Sequence, residues 1–330
     1  MTTTAKHFNP FLFYSARLQE LMTKAATQKD PALWLYKNDA RTVLFMLEAL
    51  TRLHNHAFDE KVFDKWNKRF KKLEDLLGEV DEHAVLETAF KANKKIPKEL
   101  IKYFTLHKEN GLEKLNRRLS SKDWLNGKVL SFDKKIGLFD HRYDKDYIGE
   151  LHFSLEKEID AILYFALKAD YHFTKIEDEV HEIRRKLRWL SIYAHALQGM
   201  IQLKKSGKRK AYKLDYFTKA ILQSPYNKLA PKPKNTAVLE FDSDSFFALS
   251  WLISELGHMK DSVLNLYQLR DAIYVTGEMN KAEATKKAIV MLGLKPTIEG
   301  DVLKEASEMI RTALTKDKIL DSLLLKQVSA

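Results

Sequence analysis

An all-α protein of two related helical-bundle halves is the fold class this sequence predicts, and three observations lead there. Only 11 Gly and 7 Pro interrupt 330 residues, few breaks for a chain rich in turns and strands. Apolar residues recur at three- and four-residue spacing along nearly the whole length, the period of helices that bury one face. A polar or cationic helix stripe followed by a Leu-Gly pair occurs twice, once in each half. With 45% hydrophobic residues the chain can bury a substantial core.

Taken in order, the apolar period predicts helices near 11–29, 31–54, 58–77, 80–93 and 97–121 in the first half. The second half continues with helices near 145–171, 173–205, 210–223, 243–256, 258–276, 280–292 and 299–327. Between the halves, Trp124 to Tyr143 contains Asn126-Gly127 and Ile136-Gly137, turn signals without a helical period. The organisation is therefore a first half over 1–123, a linker over 124–144 and a second half over 145–330. A further break, Ser224-Pro225 through Phe241, carries three prolines and reads as a loop or extended excursion.

The most informative stretch is Val180 to Arg188. His181, Arg184, Arg185 and Arg188 stand at i, i+3, i+4 and i+7, the spacing a helix normally gives to its buried apolar stripe. Like charges at such spacing repel by roughly 0.2–0.5 kcal/mol per exposed pair and by more where buried. A bound anion removes that cost. Overall charge agrees, with 56 Lys plus Arg against 45 Asp plus Glu, a formal +11, which favours acidic partners.

In the first half Trp34, Lys37, Asn38 and Arg41 occupy the same four positions. Leu77-Gly78-Glu79-Val80-Asp81-Glu82 and Leu256-Gly257-His258-Met259-Lys260-Asp261 follow downstream, each read as the end of a helix. The second copy is longer by about the length of the proline-containing excursion plus the helix near 210–223. A duplicated helical unit with one insertion accounts for both.

Together these residues resemble the CHAD family, the conserved-histidine α-helical domain. Each half of that family opens with a His-x-x-Arg helix rich in further basic residues and continues to Leu-Gly-x-x-[Arg/Lys]-Asp. His181 to Arg188 and Leu256 to Asp261 are similar to the two elements. In the first half Trp34 replaces the histidine, Lys37 and Arg41 keep two basic positions, and Asp81-Glu82 replaces the basic-acidic pair. The resemblance implies pseudo-symmetric bundles whose basic helices line a central channel or groove, and inorganic polyphosphate as the partner. It also implies a non-catalytic role, with contacts from His181, Arg184, Arg185, Arg188 and Lys260 and a weaker opposed set of Lys37 and Arg41. Arginine suits such a ligand because its planar fork engages two phosphate oxygens. A polyanion would draw His181 towards its charged form, while Arg184 and Arg185 oppose that.

Alternatives stay open from the residues alone. Arg184, Arg185 and Arg188 could pair with carboxylates such as Glu177 or Asp178. A ferritin-like metal site would use Glu-x-x-His spacings, of which Glu255 to His258 is one and Asp178 to His181 an Asp variant. A nucleic-acid binder would use the same charge, although the aromatics fall on apolar stripes and not among the basic residues. A polyphosphate channel and weak nonspecific affinity for nucleic acid are compatible, since both rest on counterion release. With no Cys, thiolate metal sites and cysteine nucleophiles are excluded. No Gly-rich phosphate loop, Gly-x-Ser-x-Gly or His-Glu-x-x-His occurs, so no cofactor, catalytic residue or metal ligand is expected. No apolar run reaches membrane-span length and Phe11 to Tyr14 is too short for a signal peptide, so the expectation is a soluble, cytoplasmic protein. Lesser basic groups are Lys65, Lys68, Arg69 and Lys72, opposite Phe63, Trp66, Phe70, Leu73 and Leu77; Lys91 to Lys102; and Lys204 to Lys213, all read as solvated faces. His54-Asn55-His56 reads as a helix C-terminal cap.

Overall fold

Capping side chains and prolines start the first helices. Asn9 accepts from the backbone N–H of Phe11 at 2.9 Å and Leu12 at 3.3 Å, opening α1 (Pro10–Ala26), and Asp30 accepts from Leu33 at 3.0 Å, opening α2 (Pro31–Lys37). The computed structural model describes residues 9–58, 61–136, 145–205, 214–234, 236–277 and 279–325. Among these residues the chain is all-α, with twelve α-helices and one two-stranded pairing.

After α2 come α3 (Ala40–Phe58), α4 (Lys61–Ala92), α5 (Lys98–Ser121) and α6 (Lys128–Ile136). They are followed by α7 (Lys145–Lys168), α8 (Glu182–Ala196), α9 (Lys219–Gln223), α10 (Ser243–Thr276), α11 (Lys281–Leu292) and α12 (Ile298–Arg311). The expected helix over 31–54 is two helices, because Asp39 takes a left-handed φ of 55° that ends one and starts the next. The expected helix over 173–205 is a π-turn at Ile176–His181, then α8, then strand β1 (Ile201–Lys204). Strand β2 (Leu239–Asp242) pairs parallel with β1, Ile201 opposite Leu239, so the excursion between them leaves and returns at one place. The segment read as linker contains α6, whose Val129, Phe132 and Ile136 are buried; residues 137–144 lie outside the described residues. Of the helix expected over 210–223, only α9 and a 3-10 turn at Leu214–Phe217 are present within the described part. The last expected helix stops at Arg311, with a π-turn at Thr312–Lys316 after it.

Both Leu-Gly pairs, expected at helix ends, are interior. α4 runs unbroken through Gly78 and α10 through Gly257. A single glycine costs a helix only about 1 kcal/mol. Here the apolar stripe continues past each one, through Val80 and Leu86 on α4 and Val263 and Leu266 on α10, all buried. Helix packing outweighs the local preference.

Two apolar cores result among the described residues. The larger joins α1 and α3 to α7 and α8; the smaller joins Phe90 of α4 and Phe104 of α5 to Leu269 of α10 and Ala288 of α11. Each draws on both sides of the 124–144 segment. Polar ties cross the same boundary: Arg52 of α3 meets Glu158 of α7 in a two-pronged contact at 3.0 and 2.9 Å, with His56 Nε2 at 3.0 Å from the same carboxylate. Burial opposes that charge, and the bonds from His56 and Arg52 reverse the effect, holding Glu158 below the usual carboxylate range. His54 is not a helix cap. It is fully buried, its Nδ1 2.7 Å from the Leu50 carbonyl and its Nε2 2.7 Å from the Tyr147 hydroxyl.

Glu48 of α3 is the poorly compensated carboxyl of this core. Its Oε2 is buried without a hydrogen bond, and burial, followed by the Glu74 charge, pushes its pKa up to about 7. A raised carboxyl favours the folded state below its ordinary pKa and loses that contribution as pH rises through the folded value. Glu48→Gln is therefore expected to leave stability nearly unchanged near pH 4 and to raise it by roughly 3 kcal/mol near pH 8.5. Urea unfolding at both values checks this; an equal effect at the two would contradict it.

Candidate functional site

α8 begins on a π-turn, a geometry frequent at functional sites. The Glu179 carboxylate closes that turn, accepting from the backbone N–H of Lys175 at 2.9 Å and of Thr174 at 2.5 Å. His181 is the turn's last residue, so the helix starts with its cations already in phase. Arg184, Arg188, Ser191 and His195 fall at i, i+4, i+7 and i+11, one stripe of α8.

That stripe forms one wall of a cavity of about 650 Å³. Arg41, Thr42, Phe45 and Met46 of α3 face it, with Asp81 of α4 at the edge and Ser250, Ile253 and Ser254 of α10 completing the walls. Ala220 and Ile221 of α9 and Ser224 and Tyr226 of the following turn close one side. His195 Nε2 lies 2.8 Å from the Tyr226 carbonyl and so ties that turn to α8. The excursion read from its prolines as a loop is thus partly a wall.

Each of two arginines rests on a helix glycine. A Cβ on Gly257 would stand 3.0 Å from Nε and Nη2 of Arg184, and a Cβ on Gly78 would stand 2.8 Å from Nη2 of Arg41. The glycines make room for guanidinium groups lying flat against a neighbouring helix. Arg184 Nε donates to the Ile253 carbonyl of α10 at 3.0 Å. Arg41 donates from Nε to Glu74 at 2.8 Å and from Nη1 to Asp81 at 2.7 Å, which more than neutralises it.

Arg184 and Arg188 have no carboxylate partner among the described residues. Arg188 is exposed to the cavity yet surrounded by protein, its guanidinium 4.9 Å from the centre of the Phe45 ring, whose other guanidinium neighbour is Arg41 at 5.3 Å. Burial and then Arg41 depress the Arg188 pKa, with Glu74 opposing; burial and then Arg188 depress that of Arg184, with Asp261 opposing. An arginine depressed in this way remains a cation at neutral pH. Burial and the neighbouring like charge thus both disfavour charging these two groups, and a bound anion opposes both effects.

Other expected site residues are placed differently. Lys37 is exposed at the end of α2 and Arg185 is exposed and paired with Glu182 at 2.6 Å, neither lining the cavity. His181, one turn before Arg184, is half-buried and does not line the cavity; its Nδ1 has no hydrogen bond, since Glu177 at 3.7 Å is too far. Burial, then Lys260, depress its pKa, with Arg184 and Arg185 adding to this and Glu177 opposing. Lys260, expected at a helix start, is buried in mid-α10 and bonded to Asp261. Of the carboxylates named as partners for the arginines, Asp178 pairs instead with Lys175 at 3.4 Å. Among the basic runs, Lys204 pairs with Glu240 at 2.7 Å and Lys91 with Glu87 at 2.5 Å, while Lys208, Arg209, Lys210 and Lys213 lie outside the described residues.

Ser191, Ser250, Ser254 and the wall around Ser224 were not found from sequence. Continuing the cationic stripe of α8 by two turns would have reached Ser191 and His195; nothing local marks Ser250 or Ser224. Among the described residues no three His, Asp or Glu side chains converge as a metal ion would need. Among the described residues no helix is long and apolar enough to cross a membrane. No family model, curated protein or solved structure matches the chain.

The glycine contacts make a direct prediction. Gly149 on α7 has open space around it, so Gly149→Ala should stabilise the protein by up to about 1 kcal/mol. In Gly257→Ala the same helical gain is spent against a displaced Arg184 bond worth roughly 1–2 kcal/mol, so stability falls or stays level. The Arg184 Nε–H resonance should move. Denaturant unfolding and arginine side-chain NMR read both effects, and an equal gain in the two variants would refute the close contact.

Proposed function

We propose that the protein binds inorganic polyphosphate without chemical turnover, in the cavity between α3, α8 and α10. The observation that carries this is the pair Arg184 and Arg188: two cations charged at a cost, without carboxylate partners among the described residues, facing one cavity with serine hydroxyls. Phosphate oxygens are suitable acceptors, because guanidinium forks and hydroxyls donate to the same anion. Arg41 stands opposite, its charge offset by Glu74 and Asp81, so the uncompensated charge of the cavity comes from Arg184 and Arg188. A cavity of about 650 Å³ admits several linked phosphates.

The two glycine contacts favour the duplicated-unit reading and set its register. Aligning Arg41 over Gly78 with Arg184 over Gly257 places Asn38 opposite His181 and Phe45 opposite Arg188. That differs by one helical turn from matching Trp34 to His181. In this register the two halves contribute unequally, with the second supplying the uncompensated charge.

Charge reversal tests the site. Arg184→Glu combined with Arg188→Glu is expected to weaken binding of labelled long-chain polyphosphate by at least about a hundredfold at near-physiological salt, with helical circular dichroism unchanged. Retained affinity in a folded variant would sink the assignment. Excess RNA or duplex DNA should fail to displace the polymer from the unaltered protein; displacement at equal phosphate concentration would move the nucleic-acid reading ahead.

His181 adds a pH dependence. A depressed imidazole is neutral near pH 7, and a bound polyanion favours its protonation. Affinity should rise as pH falls from about 8 to about 5.5, and His181→Gln should flatten that rise. A titration series at fixed salt measures the slope for both proteins.

A further inference from the structure

A second cationic surface lies on the opposite side of α4. Lys72 and Leu76 line it, whereas Glu74 and Gly78 meet Arg41 beside the cavity; residues two apart on a helix are about 200° around its axis. The two surfaces are therefore separated by the body of α4. The outer one is a wide groove of about 1000 Å³ in which Lys72 of α4 faces Lys114, Arg117 and Arg118 of α5, with Ser120 and Ser121 at its end.

Neighbouring lysines on these helices are compensated: Lys68 by Asp64 at 2.7 Å, Lys71 by Asp75 at 2.6 Å and Lys114 by Glu79 at 2.5 Å. Among the described residues, Arg69, Lys72, Arg117, Arg118, Lys122 and Lys128 have no ion pair. Arg118 Nε is buried and has no hydrogen-bond partner, an arrangement that is unfavourable when nothing accepts from it. Arg69 is fixed over the buried Trp66 ring at 4.5 Å, so it cannot swing away from its like-charged neighbours at low cost. Burial and then Arg118 depress Arg69; burial and then Arg69 depress Lys128, with Asp123 opposing. The cluster is built against its own repulsion.

We propose that this α4–α5 groove is a second anion site, distinct from the central cavity, for a compact and multiply charged phosphate anion. No aromatic side chain is among the described residues that line it, so it has no platform on which nucleobases could stack. Recognition is by charge and by donor groups, which matches phosphate oxygens and not bases. Being open, the groove binds more weakly than the cavity and is more sensitive to salt.

Inorganic tripolyphosphate is the probe, titrated calorimetrically at low salt into three full-length proteins: unaltered, Arg184→Ala with Arg188→Ala, and Lys72→Gln with Arg117→Gln and Arg118→Gln. The cavity variant isolates the groove, so this result is independent of what the cavity binds. The expected result is that the cavity variant still binds tripolyphosphate and the groove variant loses one binding event, at least tenfold in affinity. In the unaltered protein the Arg118 Nε–H resonance should shift during the same titration, which keeps the proposal testable should a variant fail to fold. No binding by the cavity variant, an unchanged groove variant or an unmoved Arg118 resonance would overturn it. So would displacement of tripolyphosphate from the cavity variant by duplex RNA at equal phosphate concentration.

Discussion

Seating a guanidinium group flat against a helix glycine is the contact on which the central site depends. Arg184 against Gly257 and Arg41 against Gly78 each require a helix that stays continuous while giving up one Cβ. The cost of a mid-helix glycine is small, about 1 kcal/mol, compared with what a displaced, partly buried arginine would forfeit. With the arginines held low against α10 and α4, the space above them stays open. The cavity between α3, α8 and α10 is that space.

Charge is concentrated in this protein where packing could have placed apolar groups. Arg41 and Arg188 share the Phe45 ring, whose neighbour Trp189 stands edge-on at 6.1 Å, so an aromatic contact supports two cations that repel one another. Arg41 is offset by Glu74 and Asp81, and Glu74 in turn raises the carboxyl of Glu48 deeper in the core. A fold stabilised chiefly by its two apolar cores tolerates this.

Much of the helical content was legible because it is local. α1, α5, α7 and α11 follow from apolar period and punctuation, and the cationic stripe of α8 from residue spacing alone. The failures have physical causes. Gly78 and Gly257 look like stops until the long apolar stripes of α4 and α10 are packed against their neighbours. Asp39 looks helical until its backbone turns left-handed. The strand pair Ile201–Lys204 and Leu239–Asp242 joins segments far apart in sequence, so no local pattern could announce it.

By itself the sequence determined that the chain is helical, that it is strongly basic and that one helix carries cations on a stripe, since period, composition and spacing are properties of neighbouring residues. Which cations remain uncompensated was decided only by tertiary structure. Arg185 and Lys260 find partners beside them, Arg41 is claimed by carboxylates of α4, and Arg184 and Arg188 find no carboxylate among the described residues. The same holds for the groove beyond α4, where Arg69, Lys72 and Arg118 come together from two helices. Uncompensated charge depends on the distances between groups on different elements, and the fold sets those distances.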